Sequence, residues 1–125
     1  MDPMNISLTN VEVVRRFTDA LNLADLEMMG ALISDDTVFE NTYPAPDGTR
    51  YEGKPAVLGF WREFFQSSAY ANIEIVDVFS VDDRCAMQWT YRWRDKQGVE
   101  GHIRGVDIYK LRDGLITEKL SYVKG

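Results

Sequence analysis

The order of patterns along the chain predicts an α+β fold. Helix-period apolar stripes occupy the first half, period-two strands joined by tight turns fill the second, and no repeat or linker interrupts them. Short links between successive strands imply an antiparallel meander, with three helices of the N-terminal half covering one face of a curved sheet. At 125 residues there is room for a single domain, 1–125, large enough for a core and a ligand-sized cavity.

The first helix is announced by Thr9 and Glu12, which have capping-box spacing. Val13, Val14, Phe17, Ala20 and Leu21 then mark one apolar stripe. Asp25 caps a short second helix in which Leu26, Met29, Leu32 and Ile33 repeat at three and four. Gly53-Lys54-Pro55 opens the third, with proline in the first turn, where its missing donor costs nothing. Its face is Val57, Leu58, Trp61, Phe64 and Phe65, and it ends near Ser67-Ser68. A short strand-like run at 37–43 leads into a loop with Pro44, Pro46 and Asp47-Gly48. The later strands are expected at 73–81, 84–94, 99–111 and 115–123. Their separators are Asp82-Asp83, Lys96-Gln97-Gly98 and Arg112-Asp113-Gly114.

Composition narrows the function classes. Apolar residues make up 45% and charged residues 27%, an ordinary globular balance. A formal net charge of -6 argues against nucleic acid, whose phosphates call for lysine and arginine. Cys85 is the single cysteine, so no internal disulfide or cysteine metal cluster is expected, and between Met87 and its apolar neighbours it reads as a buried hydrophobe. His102 is the single histidine, which removes multi-histidine metal sites. No glycine-rich phosphate loop, GxSxG elbow or HExxH motif occurs, and no cofactor is expected. Residues 1–8 lack the pattern of a signal peptide and no run reaches membrane-span length. A soluble, cytoplasmic protein without membrane or nucleic-acid partners is therefore the expectation.

The informative residue is Asp107, in Gly105-Val106-Asp107-Ile108-Tyr109. A carboxylate in the middle of an apolar strand is unexpected, because aspartate is depleted in strands and its burial is costly. It is either an ion-paired or solvent-facing side chain, with Arg92 and Lys119 as partners, or a pocket acid or base. Hairpin register decides its company. A two-residue turn at Gln97-Gly98 sets Asp107 opposite Gln88 and puts Gln88, Thr90 and Arg92 on its face. A three-residue turn brings Trp89 and Tyr91 beside it instead. In either register His102 has the opposite parity from Asp107.

The paired short helices, Phe39-Glu40-Asn41 before the Pro/Gly loop, the Gly53-Lys54-Pro55 helix start and the Gly105–Tyr109 strand followed by Asp113-Gly114-Leu115-Ile116 resemble the NTF2-like superfamily, and within it the SnoaL-like, polyketide-cyclase-related branch. That resemblance spans nearly the whole chain. It implies a cystatin-type cone with one deep pocket, dimerisation through the sheet, and Asp107 as the catalytic acid/base. Asn41 and Gln88 match its polar pocket companions, and the usual histidine of that strand is not evident. Against the ketosteroid isomerases, Asp107 matches the oxyanion-hole aspartate. The general-base position falls on Asn41, the oxyanion tyrosine on Phe17 and a supporting tyrosine on Trp61. The Asp-Arg-Asp triad of limonene epoxide hydrolases falls on Thr90, Gln88 and Ser121. These comparisons favour the two-residue register.

The candidate site is therefore Asp107 as catalytic group, with Phe17, Asn41, Trp61, Gln88, Thr90, Tyr109 and Ser121 around a small, mostly apolar oxygenated ligand. Asn41 is equally a turn-former, and Trp61 is more often a helical core residue than a ligand contact. Two functions remain open: an aldol-type cyclase or isomerase moving a proton next to a carbonyl, and a non-catalytic binding module or dimeric adaptor. An unpaired Asp107 speaks for the first, and Asp107 clamped by Arg92 or Lys119 for the second. An unpaired Asp107 also predicts that Asp107→Asn keeps or raises the melting temperature. Trp89, Tyr91 and Trp93 on the convex face are expected to drive a homodimer.

Overall fold

The computed structural model describes residues 8–67 and 70–125. The signal-peptide reading of the N-terminus and the end of the third helix at Ser68 thus fall wholly or partly outside the described residues.

Helix α1 (Asn10–Asn22) begins with both halves of its capping box: the Glu12 backbone N–H donates to Thr9 Oγ1 at 3.2 Å, and the Thr9 N–H to Glu12 Oε1 at 3.4 Å. Its stripe Val13, Val14, Phe17, Ala20 and Leu21 is buried as expected. Helix α2 (Leu26–Ala31) is capped by Asp25, whose Oδ1 accepts from the Met28 N–H at 3.0 Å. It stops before Leu32 and Ile33, which sequence periodicity had placed on it. The Leu32 carbonyl accepts from the Ile116 N–H at 2.9 Å, so sheet pairing takes over where another helical turn would begin.

Strand β1 (Ile33–Glu40) accordingly starts and ends earlier than the expected 37–43. It pairs antiparallel with a strand the sequence did not reveal, β2 (Arg50–Glu52), so the Pro/Gly loop 41–49 is a hairpin loop. Gly53 (φ +89) turns the chain into α3 (Lys54–Ser67). The remaining strands are β3 (Tyr70–Val81), β4 (Arg84–Arg94), β5 (Glu100–Arg112) and β6 (Leu115–Val123), close to their expected bounds.

The six strands form one sheet in the order β2-β1-β6-β5-β4-β3. β3 to β6 are the antiparallel meander, while β1 joins β6 in parallel. Bulges between Ile75 and Asp77 and between Lys110 and Leu111 bend the sheet, as extra residues on one strand do. All three helices lie on the concave side: α1 meets β3 and β4, α2 meets β1, and α3 meets β1 and β2. The Asn22 side chain fastens the end of α1 to β3, donating to the Ile73 carbonyl at 2.9 Å and accepting its N–H at 2.8 Å. At this end Phe17, Met29, Ile33, Met87, Tyr109 and Ile116 close the core completely. Under α3 the two layers diverge and leave a cavity. Among the described residues, no helix is long and apolar enough to cross a membrane.

Candidate functional site

One turn determines what faces this cavity. Asp95 Oδ1 accepts the backbone N–H groups of Gln97 and Val99, both at 2.9 Å, and the Asp95 N–H donates to the Val99 carbonyl at 2.9 Å. Gly98, at φ +87, takes the left-handed position. The turn therefore has three residues, Lys96 to Gly98, with Asp95 facing Val99. The two-residue turn favoured from sequence would leave those amides without the aspartate cap. Asp107 consequently pairs with Met87, not Gln88, and Trp89 pairs with Gly105 and Tyr91 with Ile103. Gln88 and Thr90 have the opposite parity and fall on the convex face. Trp89 and Tyr91, expected on that face, line the cavity instead. The Trp89 indole lies against Gly105, where a Cβ would sit 2.6 Å from its ring.

The cavity has a volume of about 360 Å³. Its walls are Tyr51 from β2, Phe60, Trp61 and Phe64 from α3, Phe39 from β1, and Ile73, Trp89, Tyr91 and Ile103 from β3 to β5. The aromatic rings hold each other edge-on: Phe60 and Trp61 lie 4.9 Å apart between centroids, and Trp61 and Phe64 5.4 Å.

At the deep end four polar side chains meet because of strand parity. Asp107 and Tyr109 stand two apart on β5. Directly across on β6 stand Ser121 and Lys119, in the pairs Asp107–Ser121 and Tyr109–Lys119. The long lysine crosses the diagonal. Its Nζ is 3.4 Å from Asp107 Oδ2, with both side chains buried, and it donates to Ser121 Oγ at 3.0 Å. Tyr109 Oη donates to Asp107 Oδ2 at 3.2 Å. Burial first, and then the adjacent Asp107 carboxylate, push the Tyr109 phenol well above its ordinary range, so it stays a neutral donor. The Lys119 ammonium also lies 5.5 Å from the Phe39 ring centroid and 5.7 Å from that of Trp61. Among the described residues, three buried polar atoms have no protein partner: Asp107 Oδ1, Trp61 Nε1 and Trp89 Nε1.

Of the sequence-derived set, Asp107, Asn41, Trp61 and Ser121 line the cavity. Tyr109 stands behind Asp107. Phe17 is core, edge-on to Phe39 at 5.7 Å. Asn41 lines the mouth, but its Oδ1 is occupied by the N–H groups of Thr49 at 2.7 Å and Tyr43 at 3.3 Å, so it works as a turn-former that ties loop 41–49. Arg92 is turned outward and pairs with Glu74 at 3.2 Å. His102 is exposed and Cys85 is buried. Among the described residues, no three His, Cys, Asp or Glu side chains gather as metal ligands.

Sequence reasoning named Lys119 as an ion partner of Asp107, which the 3.4 Å contact bears out, but did not place it in the cavity. It faces inward only because Thr117 lies in the β5–β6 bulge, where its Oγ1 bonds the Lys110 carbonyl at 3.1 Å. Without that extra residue the alternation from Ile116 would turn Lys119 outward. Trp89 and Tyr91 were lost through the register, whereas Phe60 and Tyr51 carried no distinguishing signal.

This architecture, three helices over one face of a curved sheet with an aromatic-walled cavity between the layers, defines an NTF2-like cone. The family model for the SnoaL-like domain matches residues 14–119, and the chain belongs to that family. A solved NTF2-like protein of unknown function from Mesorhizobium loti is 32% identical, with a TM-score of 0.78 over 96% of this chain and 100% of that one. A protein assigned as a SnoaL-like polyketide cyclase from Shewanella denitrificans shares the fold at 16% identity, with a TM-score of 0.81 over 98% and 92%. An LEH-like epoxide hydrolase from M. tuberculosis does so at 18% identity, with a TM-score of 0.80 over 92% and 82%. No curated protein matches the chain.

Proposed function

We propose that the protein holds a small, neutral, mostly apolar molecule whose oxygen sits against the Asp107–Lys119 pair. The observation that carries this is the cavity itself: aromatic walls around about 360 Å³, with one polar cluster at the closed end. Cavities of that make-up orient a ligand by one or two hydrogen bonds while ring contacts supply most of the affinity. Phosphates and highly charged metabolites fit poorly, because Lys119 is already neutralised by Asp107 and Arg92 points away.

The pairing favours a binding pocket over an enzyme in which Asp107 alone abstracts a proton, because Oδ2 of that carboxylate is already taken up by the Lys119 ammonium and the Tyr109 hydroxyl. The limonene-epoxide-hydrolase chemistry has no support, since Gln88 and Thr90 lie outside the cavity in this register. Thermal-shift screening of neutral ketones and phenols against carboxylates and phosphates tests the reading. Shifts for the neutral aromatics alone are expected, and selectivity for phosphates or carboxylates would overturn it.

A homodimer through the convex face of the sheet is proposed as well, with different residues from those expected. Phe79, Ala86, Ile108 and Leu120 form one cross-strand row over β3 to β6, flanked by Val106 and Tyr122. None of them packs against the core cluster, and Phe79 and Tyr122 are 59% and 57% exposed. The single buried cysteine suits a reducing, cytoplasmic setting.

A further inference from the structure

Lys119 has a combination of features that simple ligand binding does not call for. It is a lysine buried against aromatic rings at the closed end of an apolar cavity, and its amine is aimed by Ser121 Oγ at 3.0 Å. A carboxylate lies 3.4 Å away, and the second oxygen of that carboxylate, Oδ1, has no partner. Long side chains at a wall normally carry their charge out to solvent. This one is held inside.

We infer that Lys119 is a nucleophile that forms an iminium ion with an aldehyde or ketone bound in the cavity, with Asp107 moving the protons. This rests on the pocket reading above and adds a covalent step to it. A proton passes from Lys119 Nζ to the Asp107 carboxylate across their contact. The freed nitrogen lone pair attacks the carbonyl carbon, a C–N bond forms, and the π pair moves to oxygen. One proton leaves nitrogen and one reaches oxygen, giving a carbinolamine. Protonated Asp107 then delivers its proton to the hydroxyl, water leaves, and the nitrogen lone pair closes the C=N bond. The net change is ammonium plus carbonyl to iminium plus water, with Asp107 a carboxylate before and after. No oxidant, reductant or cofactor enters.

The cavity favours this outcome in two ways. The positive charge begins and ends on the same nitrogen, within reach of the Phe39 and Trp61 ring faces and of Asp107, so the surroundings that hold the ammonium hold the iminium equally. The 3.4 Å contact between Lys119 Nζ and Asp107 Oδ2 also gives the proton a direct path out and back. The substrate class follows: an aromatic or similarly flat apolar compound with one unhindered carbonyl at its end.

The test is reductive trapping. The intact protein is treated with 2-naphthaldehyde and cyanoborohydride near neutral pH, and peptide mapping then reads the labelling rate at Lys119 against exposed Lys96, Lys110 and Lys124 in the same sample. Thermal shift without reductant, and displacement by 2-methylnaphthalene, report binding separately. The expected result is labelling at Lys119 at least about tenfold faster than at the exposed lysines, suppressed by 2-methylnaphthalene. Asp107→Asn should slow labelling at Lys119 about 100-fold, the low end of what a positioned proton-transfer group supplies, and leave the other three unchanged. Lys119→Arg, which keeps the charge, should bind the aldehyde without an adduct at that site. Binding of the aldehyde with no preferential label at Lys119 would overturn the iminium step and leave the pocket reading intact. Absence of both binding and label would overturn both.

Discussion

The two faces of β4, β5 and β6 are built from the same strands and have opposite characters. On the concave face Trp89, Tyr91 and Ile103 enclose a cavity that ends in a charged pair. On the convex face Ala86, Ile108 and Leu120 form an apolar row, with no helix over it among the described residues. Composition does not distinguish them, because both alternations contain apolar residues and both contain charges. What separates them is one residue of loop length at Lys96 to Gly98 and one bulge residue, Thr117. Irregular positions, each held by a hydrogen bond, thus assign the side chains of three strands to the concave or the convex face.

The largest effect should come from breaking the concave face at its charge pair. Lys119→Met leaves a buried carboxylate without its cation and should cost about 3–5 kcal/mol in denaturant unfolding. Asp107→Asn should likewise destabilise. This reverses the expectation drawn for an unpaired Asp107, because Lys119 would then be the uncompensated charge. The double variant Asp107→Asn/Lys119→Met should recover most of the loss, since the expense lies in an orphaned charge more than in the absent bond. If each single variant costs less than about 1 kcal/mol, the pair is hydrated and water reaches the closed end of the cavity.

The fold was legible in the sequence where the signal is local and repetitive. The capping box of α1, its buried stripe, and the bounds of β4 and β6 follow from spacing alone. β2 was not legible because three residues, Arg50–Glu52, are too few to show a period. The end of α2 was misplaced because Leu32 and Ile33 suit both a helical stripe and a strand, and the partner that decides between them, Ile116, lies far along the chain. The site was legible in its central residue and not in its surroundings. Asp107 stands out on any reading of its strand, whereas Lys119, Trp89 and Tyr91 depend on the turn and the bulge.

A second prediction moves from charge to the join between the faces. A Cβ on Gly105 would press on the Trp89 ring at 2.6 Å and also meet the Tyr122 carbonyl, which is backbone and yields little. Gly105→Ala should therefore cost about 1–3 kcal/mol by overpacking and tilt the indole into the cavity, lowering its capacity for naphthalene-sized ligands. Unchanged stability would mean that β5 and β6 separate easily there.

The third prediction concerns Tyr109. Its folded value is raised, so its contribution to stability is fully present below the unfolded tyrosine value near pH 10 and is lost as pH rises toward the folded value. The unfolded state then binds fewer protons than the folded one. Stability should fall by up to about 1.4 kcal/mol per pH unit for this one group. Tyr109→Phe should be less stable at neutral pH, since Asp107 loses a donor, and should show a shallower alkaline slope. Equal slopes would mean that Tyr109 ionises in the folded protein as it does in water.

The smallest effect on the monomer is expected from the convex face, and that smallness is the informative part. Phe79 is 59% exposed and lies outside the core, so Phe79→Glu should change monomer stability by no more than about 0.5 kcal/mol. In a homodimer formed through this face, the same carboxylate would stand at the end of the Phe79–Ala86–Ile108–Leu120 row, near the two-fold-related row of a second copy. Burial of an unpaired charge there would weaken association by several kcal/mol. Sedimentation at micromolar concentration should therefore show a dimer for the native chain and a monomer for Phe79→Glu, while naphthalene binding in the cavity is retained. A monomeric native chain would leave this face as ordinary exposed surface, and loss of cavity binding in Phe79→Glu would mean that the two faces are coupled through the sheet.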